Sequence, residues 1–216
     1  MTTRSENTLR DMLRLMLAPG IGAVRVRRMI QAFGGPEAAL NAGFEELRRV
    51  PGLNGPELEY MARKQWNDRA VEMQLERIGT SGAQAVFYWE ENYPAYLSQI
   101  YDPPPMLFAL GDLACMNRPC LAVVGTRTPS LYGRETARNL AGGIALAGYT
   151  VVSGLARGID SEAHQAALDN GGVTVAVLGS GVDMIYPPEN VGIVGRMLEQ
   201  GSAVVSEYLM GTPPDS

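Results

Sequence analysis

The stretch from residue 119 to residue 160 constrains the fold most, because two apolar runs there flank a helical pattern. The run Leu121–Val124 ends at Gly125 and is typical of a strand buried on both faces. Helical periodicity predicts a helix over about 132–147, and Thr150–Val152 predicts a second strand. A helix that connects two neighbouring strands makes them parallel, with a right-handed crossover. We therefore expect a strand–helix–strand unit here.

A loop of small residues with one arginine follows each of the two strands. Such loops leave the carboxyl ends of parallel strands, which is the edge where open α/β sheets bind ligands. Small residues let the backbone approach a ligand, and the helix N-termini that follow offer free N–H groups to anions. The sequence therefore predicts a phosphate-binding surface. Its candidate residues are Gly125, Thr126, Arg127, Ser153, Gly154, Arg157 and Gly158.

Charge limits the kind of anion site that the chain can build. The formal net charge is −5, and residues 81–216 contain only six of the 18 lysines and arginines but thirteen of the 23 carboxylates. Lys64 is the only lysine, so almost every cation is an arginine, which binds phosphate in a two-pronged geometry. An anion site in the second part must therefore depend on individual arginines and backbone amides.

Several classes of protein are disfavoured by composition. Cys115 and Cys120 do not make a disulfide framework, and together with the single His164 they are too few for a zinc site, so we expect neither metal nor cofactor. The apolar runs are too short to span a bilayer, and the N-terminus lacks the apolar core of a signal peptide. A cytoplasmic protein that does not enter the membrane is expected.

The first 80 residues predict a separate helical domain. Helical patterns over 9–18 and 23–33 flank a Pro-Gly-Ile-Gly turn, an arrangement similar to a helix-hairpin-helix, whose hairpin N–H groups hold a nucleic-acid phosphate. Gly20 and Gly22 would make those contacts. A helical bundle whose turns merely need glycine explains the same residues, and both interpretations stay open. A long charged helix is predicted over 57–78, and the domain boundary falls at about residue 80.

Residues 81–216 predict an α/β domain. Besides the two strands already described, apolar runs predict strands over 83–88, 106–110, 173–178 and 203–205. The third parallel strand is followed by another small-residue loop, Gly179–Gly181, at the same edge. The chain ends at 211–216 inside what should be a loop, so we expect a continuation of the domain beyond Ser216.

Four segments, in order, resemble the signatures of the DNA processing protein A family, also called DprA or Smf. The first is Val124-Gly125-Thr126-Arg127 with Pro129-Ser130 and Tyr132-Gly133, and the second is Ser153 to Asp160 with Ala163-His164. The third is Ala176 to Gly181 with Asp183 and Tyr186-Pro187-Pro188-Glu189-Asn190, and the fourth is Ser206-Glu207-Tyr208 with Gly211-Thr212-Pro213. The N-terminal helices resemble the SAM-like or helix-hairpin-helix domain of many members.

The resemblance implies an α/β fold with an extended Rossmann-like parallel sheet and helices on both faces. It implies a protein that is not an enzyme and that binds single-stranded DNA in natural transformation. Family members protect the incoming strand, load a RecA-type recombinase on it and usually form homodimers. By position, Thr126 and Arg127 of the first loop, and Ser153, Gly154 and Arg157 of the second, would contact DNA phosphates. The Phe-Pro and Arg-Asn-Arg segments that follow the fourth signature in the family are not in this sequence.

Three alternatives remain at this stage. A nucleotide-binding hydrolase of the lysine-decarboxylase-like type needs a PGGxGTxxE loop, which Gly179–Asp183 does not provide. A dinucleotide oxidoreductase needs G-x-G-x-x-G after the first strand, where this chain has G-T-R-T-P-S. The third alternative is a pure interaction module that docks a protein partner through the helical domain.

Some polar and aromatic residues have both a functional and a structural explanation. Asp160 and His164 lie four residues apart, a spacing that suits acid–base chemistry but equally suits helix capping and packing, and the structural explanation is favoured. Ser153 lacks the surrounding G-x-S-x-G of a nucleophile elbow. Tyr132 and Tyr186 are candidates for stacking on bases, although Tyr-Pro turns are common without any such role.

Overall fold

The computed structural model describes residues 4–214, which contain ten α-helices and six strands. The chain divides into one unit that ends at Gly79 and a second that begins at Thr80. The helices are α1 Arg4–Met16, α2 Ala23–Phe33, α3 Pro36–Asn41, α4 Phe44–Leu47, α5 Gly55–Arg63, α6 Asp68–Ser81, α7 Ala95–Ser98, α8 Leu131–Leu146, α9 Ile159–Asp169 and α10 Val191–Glu199. The strands are β1 Gln84–Phe87, β2 Met106–Gly111, β3 Cys120–Ala122, β4 Thr150–Ser153, β5 Thr174–Leu178 and β6 Ala203–Ser206.

The first unit is a helical bundle, and its long charged helix is broken in two. The single helix predicted over 57–78 is wrong, because α5 ends at Arg63 and Lys64 adopts a left-handed backbone with φ 55°. The backbone N–H of Lys64 bonds to the Met61 carbonyl, which closes the last turn. The side chain of Asn67 then accepts from the backbone N–H of Ala70, so it caps the start of α6.

A mixed sheet in the order β1-β2-β6-β5-β4-β3 forms the second unit. Strands β3, β4, β5 and β6 are parallel, whereas β1 and β2 are antiparallel to their neighbours and extend the sheet at its other edge. The prediction of an extended Rossmann-like sheet is confirmed. The predicted strands and helices from 106 onwards match the observed ones to within a few residues.

The two faces of the sheet are covered by different kinds of helix. Val151 packs with the alanines of α8 and α9, and α10 lies beside α9. The next residue, Val152, faces the opposite cluster, which contains Leu113 and Cys115 of the 3₁₀ turn Leu113–Asn117 and, beside it, Leu97 of α7. Helices therefore cover both faces, with α8, α9 and α10 on one and the short α7 and 3₁₀ turn on the other.

Strand β3 differs from the prediction in its burial. The run Leu121–Val124 was predicted to be a strand buried on both faces, but β3 is an edge strand and Leu121 is 46% exposed. Among residues 4–214 no strand pairs with the outer side of β3. An apolar composition indicates a strand, but which strands flank it depends on the order of the whole sheet.

His164 is a core residue of the second unit. It is fully buried on α9, and its Nδ1 lies 2.7 Å from the Thr174 hydroxyl, which itself donates to the Val151 carbonyl at 2.7 Å. Because that hydroxyl has only one hydrogen, Nδ1 must donate to it, and the Nε2 atom is left without a partner among the described residues. Burial lowers the pKa of His164 to about 4.

We expect the second unit to lose stability in acid through His164. The unfolded imidazole titrates near its ordinary value of about 6.5. The contribution of the neutral imidazole to the unfolding free energy is therefore complete above that pH. It is lost as the pH falls towards the folded pKa of about 4. The loss amounts to about 3 kcal/mol of unfolding free energy. Urea unfolding between pH 7 and pH 4 measures it, and the loss should shrink in His164→Gln.

An NMR titration of the intact protein provides the control. His164 is the only histidine in the sequence, so its ring gives a single imidazole signal. That signal should titrate near pH 4 in the folded protein and near pH 6.5 in urea. A folded-state titration near pH 6.5 would contradict the assignment of His164 as a neutral core residue.

Candidate functional site

The two arginines singled out in the sequence line the same cleft. The cleft has a volume of about 260 Å³ and lies at the carboxyl edge of the parallel strands, where the loops after β3, β4, β5 and β6 meet. Arg127 comes from the loop after β3 and Arg157 from the loop after β4. The lining residues are Arg127, Gly154, Ala156, Arg157, Leu178, Gly179, Ser180, Tyr186, Pro187, Tyr208 and Pro214.

A buried carboxylate ties the first two loops together. Asp160, in the first turn of α9, accepts from the N–H of Gly125 through Oδ1 at 3.4 Å and from the N–H of Gly154 through Oδ2 at 3.1 Å. The N–H of Ile159 bonds to the carbonyl of Thr126 at 3.2 Å. The N–H groups of the two glycines are thus used inside the protein, and the loops form one unit.

Other predicted contact residues support the backbone of these two loops. Ser153 is buried, and its hydroxyl donates to the Val123 carbonyl at 2.7 Å. Gly158 has φ +81°, and a Cβ there would overlap the backbone of Thr126 and Arg127. Only a glycine allows the two loops to approach so closely in that conformation. Thr126 and Arg127 themselves are exposed at the surface. Direct DNA contacts by the seven predicted residues stay a prediction.

The second loop has an unusual backbone that a neighbouring segment supports. Leu155 is fully buried with φ 59°, a left-handed conformation that is rare for a bulky residue. The side-chain amide of Asn190 donates to the Leu155 carbonyl at 2.7 Å and to the Ser161 hydroxyl at 2.8 Å. The segment around Asn190 therefore helps to determine where Arg157 lies.

Arg157 is held by two side chains of that same segment. Its Nε and Nη2 atoms lie 2.6 and 3.3 Å from the two carboxylate oxygens of Glu189, and its guanidinium lies 5.6 Å from the ring centre of Tyr186. The hydrogen bonds to Glu189 and Tyr186 raise the pKa of Arg157, and the hydrogen bond from Arg157 lowers the pKa of Glu189. Arg127, by contrast, forms no ion pair within residues 4–214.

Several residues of the cleft were not among the predicted site residues. Tyr208, which was not a candidate, lines the cleft with an exposed ring, as does the stacking candidate Tyr186. Tyr132, the other stacking candidate, is exposed but does not line the cleft. The small-residue loop after β5, also noted in the sequence, supplies Gly179 and Ser180. That loop and the segment 186–190 were the sequence features that could have indicated these cleft residues.

The hairpin of the helical unit has an arginine and a carboxylate close to it. Gly20 has φ 73°, and its carbonyl accepts from the guanidinium of Arg25, which also lies 3.3 Å from the carboxylate of Glu57. A carboxylate therefore lies beside the hairpin. DNA contacts by Gly20 and Gly22 stay a prediction.

Two further properties of the described part of the chain bear on the site. Within residues 4–214, no group of three or more histidine, cysteine or acidic side chains is arranged to hold a metal ion. Across the same residues, no helix combines the length and the apolar character needed to cross a membrane.

A Rossmann-like parallel sheet with small-residue loops at its carboxyl edge defines an open α/β protein, a class whose ligand sites lie at that edge. This chain belongs to the DNA recombination-mediator protein A family, which matches residues 84–216. It is 34% identical over 200 residues to Protein Smf of Synechocystis sp., an alignment that covers 91% of this chain and 50% of that protein. With DNA processing protein DprA of Bacillus subtilis it shares 32% identity over 174 residues, or 75% of this chain and 58% of that protein.

Two solved structures are similar to the fold. DNA processing protein A from Streptococcus pneumoniae superposes with a TM-score of 0.78 at 30% identity, covering 97% of this chain and 70% of that one. The protein of the same name from Helicobacter pylori, whose structure was determined for its single-stranded DNA binding mode, gives a TM-score of 0.54 at 30% identity over 62% of this chain and 59% of that one. The chain spans about half the length of the curated relatives it matches.

We expect Asp160→Asn to loosen both loops. An amide has one oxygen to offer the two N–H donors of Gly125 and Gly154, and its NH₂ group would oppose one of them. Leaving a donor unsatisfied should cost about 2 kcal/mol. Hydrogen exchange of the amides of Gly125 and Gly154, read together with urea unfolding, measures the effect.

Asp169→Asn is the matched control. Asp169 is the last residue of the same helix, and it pairs with Arg196 on the surface. Such a pair contributes little, so this variant should leave the protection of both glycine amides unchanged. Equal protection in the Asp160 and Asp169 variants would show that the carboxylate of Asp160 does not hold the loops.

Proposed function

We propose that this cleft binds single-stranded DNA through its phosphates. The observation that carries the proposal is the convergence of Arg127 and Arg157, from two successive parallel strands, on one open cleft. Arginine recognises phosphate with two parallel hydrogen bonds, and a single arginine gives strong but local attraction. Since residues 81–216 carry an excess of negative charge, a strand would be held at this edge rather than on a broad basic face.

The aromatic side chains of the cleft favour a single strand over a duplex. Tyr186 and Tyr208 line the cleft with exposed rings, close to the arginines. Proteins that bind single strands commonly combine a cationic groove with rings on which the unpaired bases stack. In a duplex the faces of the bases are covered, so the tyrosines would have nothing to stack on.

The family supports a role in recombination. By analogy with the Helicobacter pylori protein and the other relatives, we propose a cytoplasmic mediator of natural transformation that protects incoming single strands and loads a RecA-type recombinase on them. Assembly as a homodimer belongs to the same proposal. Because the chain covers only part of its relatives, these activities are proposed for the protein to which this domain belongs.

We propose a binding role without catalysis. The histidine that an acid–base mechanism would need, His164, is fully buried in the core. The hydroxyl of Ser153 is buried and engaged with a carbonyl, so it is not poised as a nucleophile. Asp183, at the place where a hydrolase would have its acidic loop, accepts from the N–H of Gly211 at 2.7 Å. These contacts support a structural role for the three side chains.

Replacing either arginine with alanine should weaken binding of a 20-nucleotide oligothymidine roughly tenfold, because a charge-assisted contact is lost. Fluorescence anisotropy at several salt concentrations measures the affinity. Each of Arg127→Ala and Arg157→Ala should also flatten the dependence of log affinity on log salt by about 0.7, since one fewer phosphate is neutralised.

Arg196→Ala is the control for net charge. Arg196 lies in the last turn of α10, and its partner Asp169 is the last residue of α9. Both therefore lie at the amino ends of the parallel strands, away from the cleft. Its loss should change affinity less than twofold. If all three variants bind alike, or if a mononucleotide binds as tightly as the oligonucleotide, the cleft is not a site for single-stranded DNA.

A further inference from the structure

We infer that Glu189 occupies the position of a DNA phosphate on Arg157 in the unbound protein, and that DNA must displace it. Glu189 would then limit the affinity of the cleft, although it belongs to the same segment that shapes it. This inference rests on the proposed function, because it concerns the same arginine and the same ligand.

The geometry of the pair is that of an arginine with a bound anion. Two carboxylate oxygens of Glu189 face the Nε and Nη2 atoms of Arg157 at 2.6 and 3.3 Å. Phosphate is recognised by the same two-pronged arrangement. The side chains are 51% and 53% exposed, so water and an incoming ligand reach the pair, and an exposed pair of this kind is readily exchanged.

The carboxylate is a strong competitor because it is tethered. Glu189 lies in the 3₁₀ turn Pro188–Asn190, and the side chain of Asn190 anchors that turn to the Leu155 carbonyl of the second loop. The effective concentration of a group on so short a tether is high. A phosphate that meets Arg157 alone competes poorly, whereas a strand already held at Arg127 presents its next phosphate on a tether of its own.

Glu189 is not needed to hold the second loop in place. The carboxylate of Asp160 binds the N–H of Gly154, and Asn190 binds the carbonyl of Leu155, so the backbone on the N-terminal side of Arg157 is fixed without Glu189. The guanidinium also lies 5.6 Å from the ring centre of Tyr186. Removing the charge of Glu189 should therefore free Arg157 for phosphate.

A double-mutant cycle tests the inference. We expect Glu189→Gln to bind the 20-nucleotide oligothymidine roughly fivefold more tightly than the unmodified chain in anisotropy. Its slope of log affinity against log salt should stay that of the unmodified chain, because Arg157 contacts a phosphate in both complexes. In the Arg157→Ala background, the same Glu189→Gln change should alter affinity less than roughly twofold, because there is no guanidinium to release.

Glu199→Gln makes the same change in net charge at a distant place. Glu199 is the last residue of α10, which returns from the carboxyl edge of β5 to the amino edge of β6. This variant should bind like the unmodified chain. An equal gain in affinity in Glu199→Gln, or a gain from Glu189→Gln that persists without Arg157, would show that Glu189 acts only through net charge. Either result would overturn the inference.

The remaining outcomes are also decisive. Weaker binding in Glu189→Gln would show that Glu189 positions Arg157 for DNA, which is the opposite of competition. If the unmodified chain binds DNA and depends on both arginines but the cycle shows no coupling, the inference fails while the proposed function stands. If the chain and Glu189→Gln bind no oligonucleotide at all, both are overturned.

Discussion

The bond between the Asp160 carboxylate and two glycine N–H groups is the constraint on which the rest of the site depends. A buried carboxylate needs hydrogen-bond donors, and here the loops after two adjacent strands supply them. Because Gly125 and Gly154 belong to different loops, one side chain fixes both. The arginines that follow the two glycines in sequence therefore lie on loops that are fixed relative to each other.

Above this buried layer, the surface of the site is assembled from separate parts of the chain. The segment 186–190 supplies an aromatic ring, a carboxylate and an amide, and all three act on the second loop. Its amide supports the left-handed backbone of Leu155, and its carboxylate pairs with Arg157. The cleft therefore places a cation that attracts anions, Arg157, beside a carboxylate of the protein itself, Glu189. That combination suits a ligand that arrives with many linked phosphates.

Much of the second unit was predictable because its elements are signalled locally. Short apolar runs marked β3, β4, β5 and β6, and the helical patterns between them marked α8 to α10. The place of Arg127 and Arg157 at a common edge followed from the parallel connection alone. The burial of Ser153 was not predictable, because the carbonyl that receives its hydroxyl belongs to Val123, thirty residues earlier. Nor did any local signal pair Arg157 with Glu189, 32 residues later.

The sequence by itself determined which segments become strands and helices and where the small-residue loops lie, since those depend on neighbours a few residues apart. Only the tertiary structure decided that β3 is an edge strand and that a helix ends at Lys64. It also decided which polar groups of the loops form hydrogen bonds inside the protein. The physical reason is that strand order and side-chain partners are set by packing between distant segments. Hydrophobic periodicity carries no record of which partner a given side chain meets.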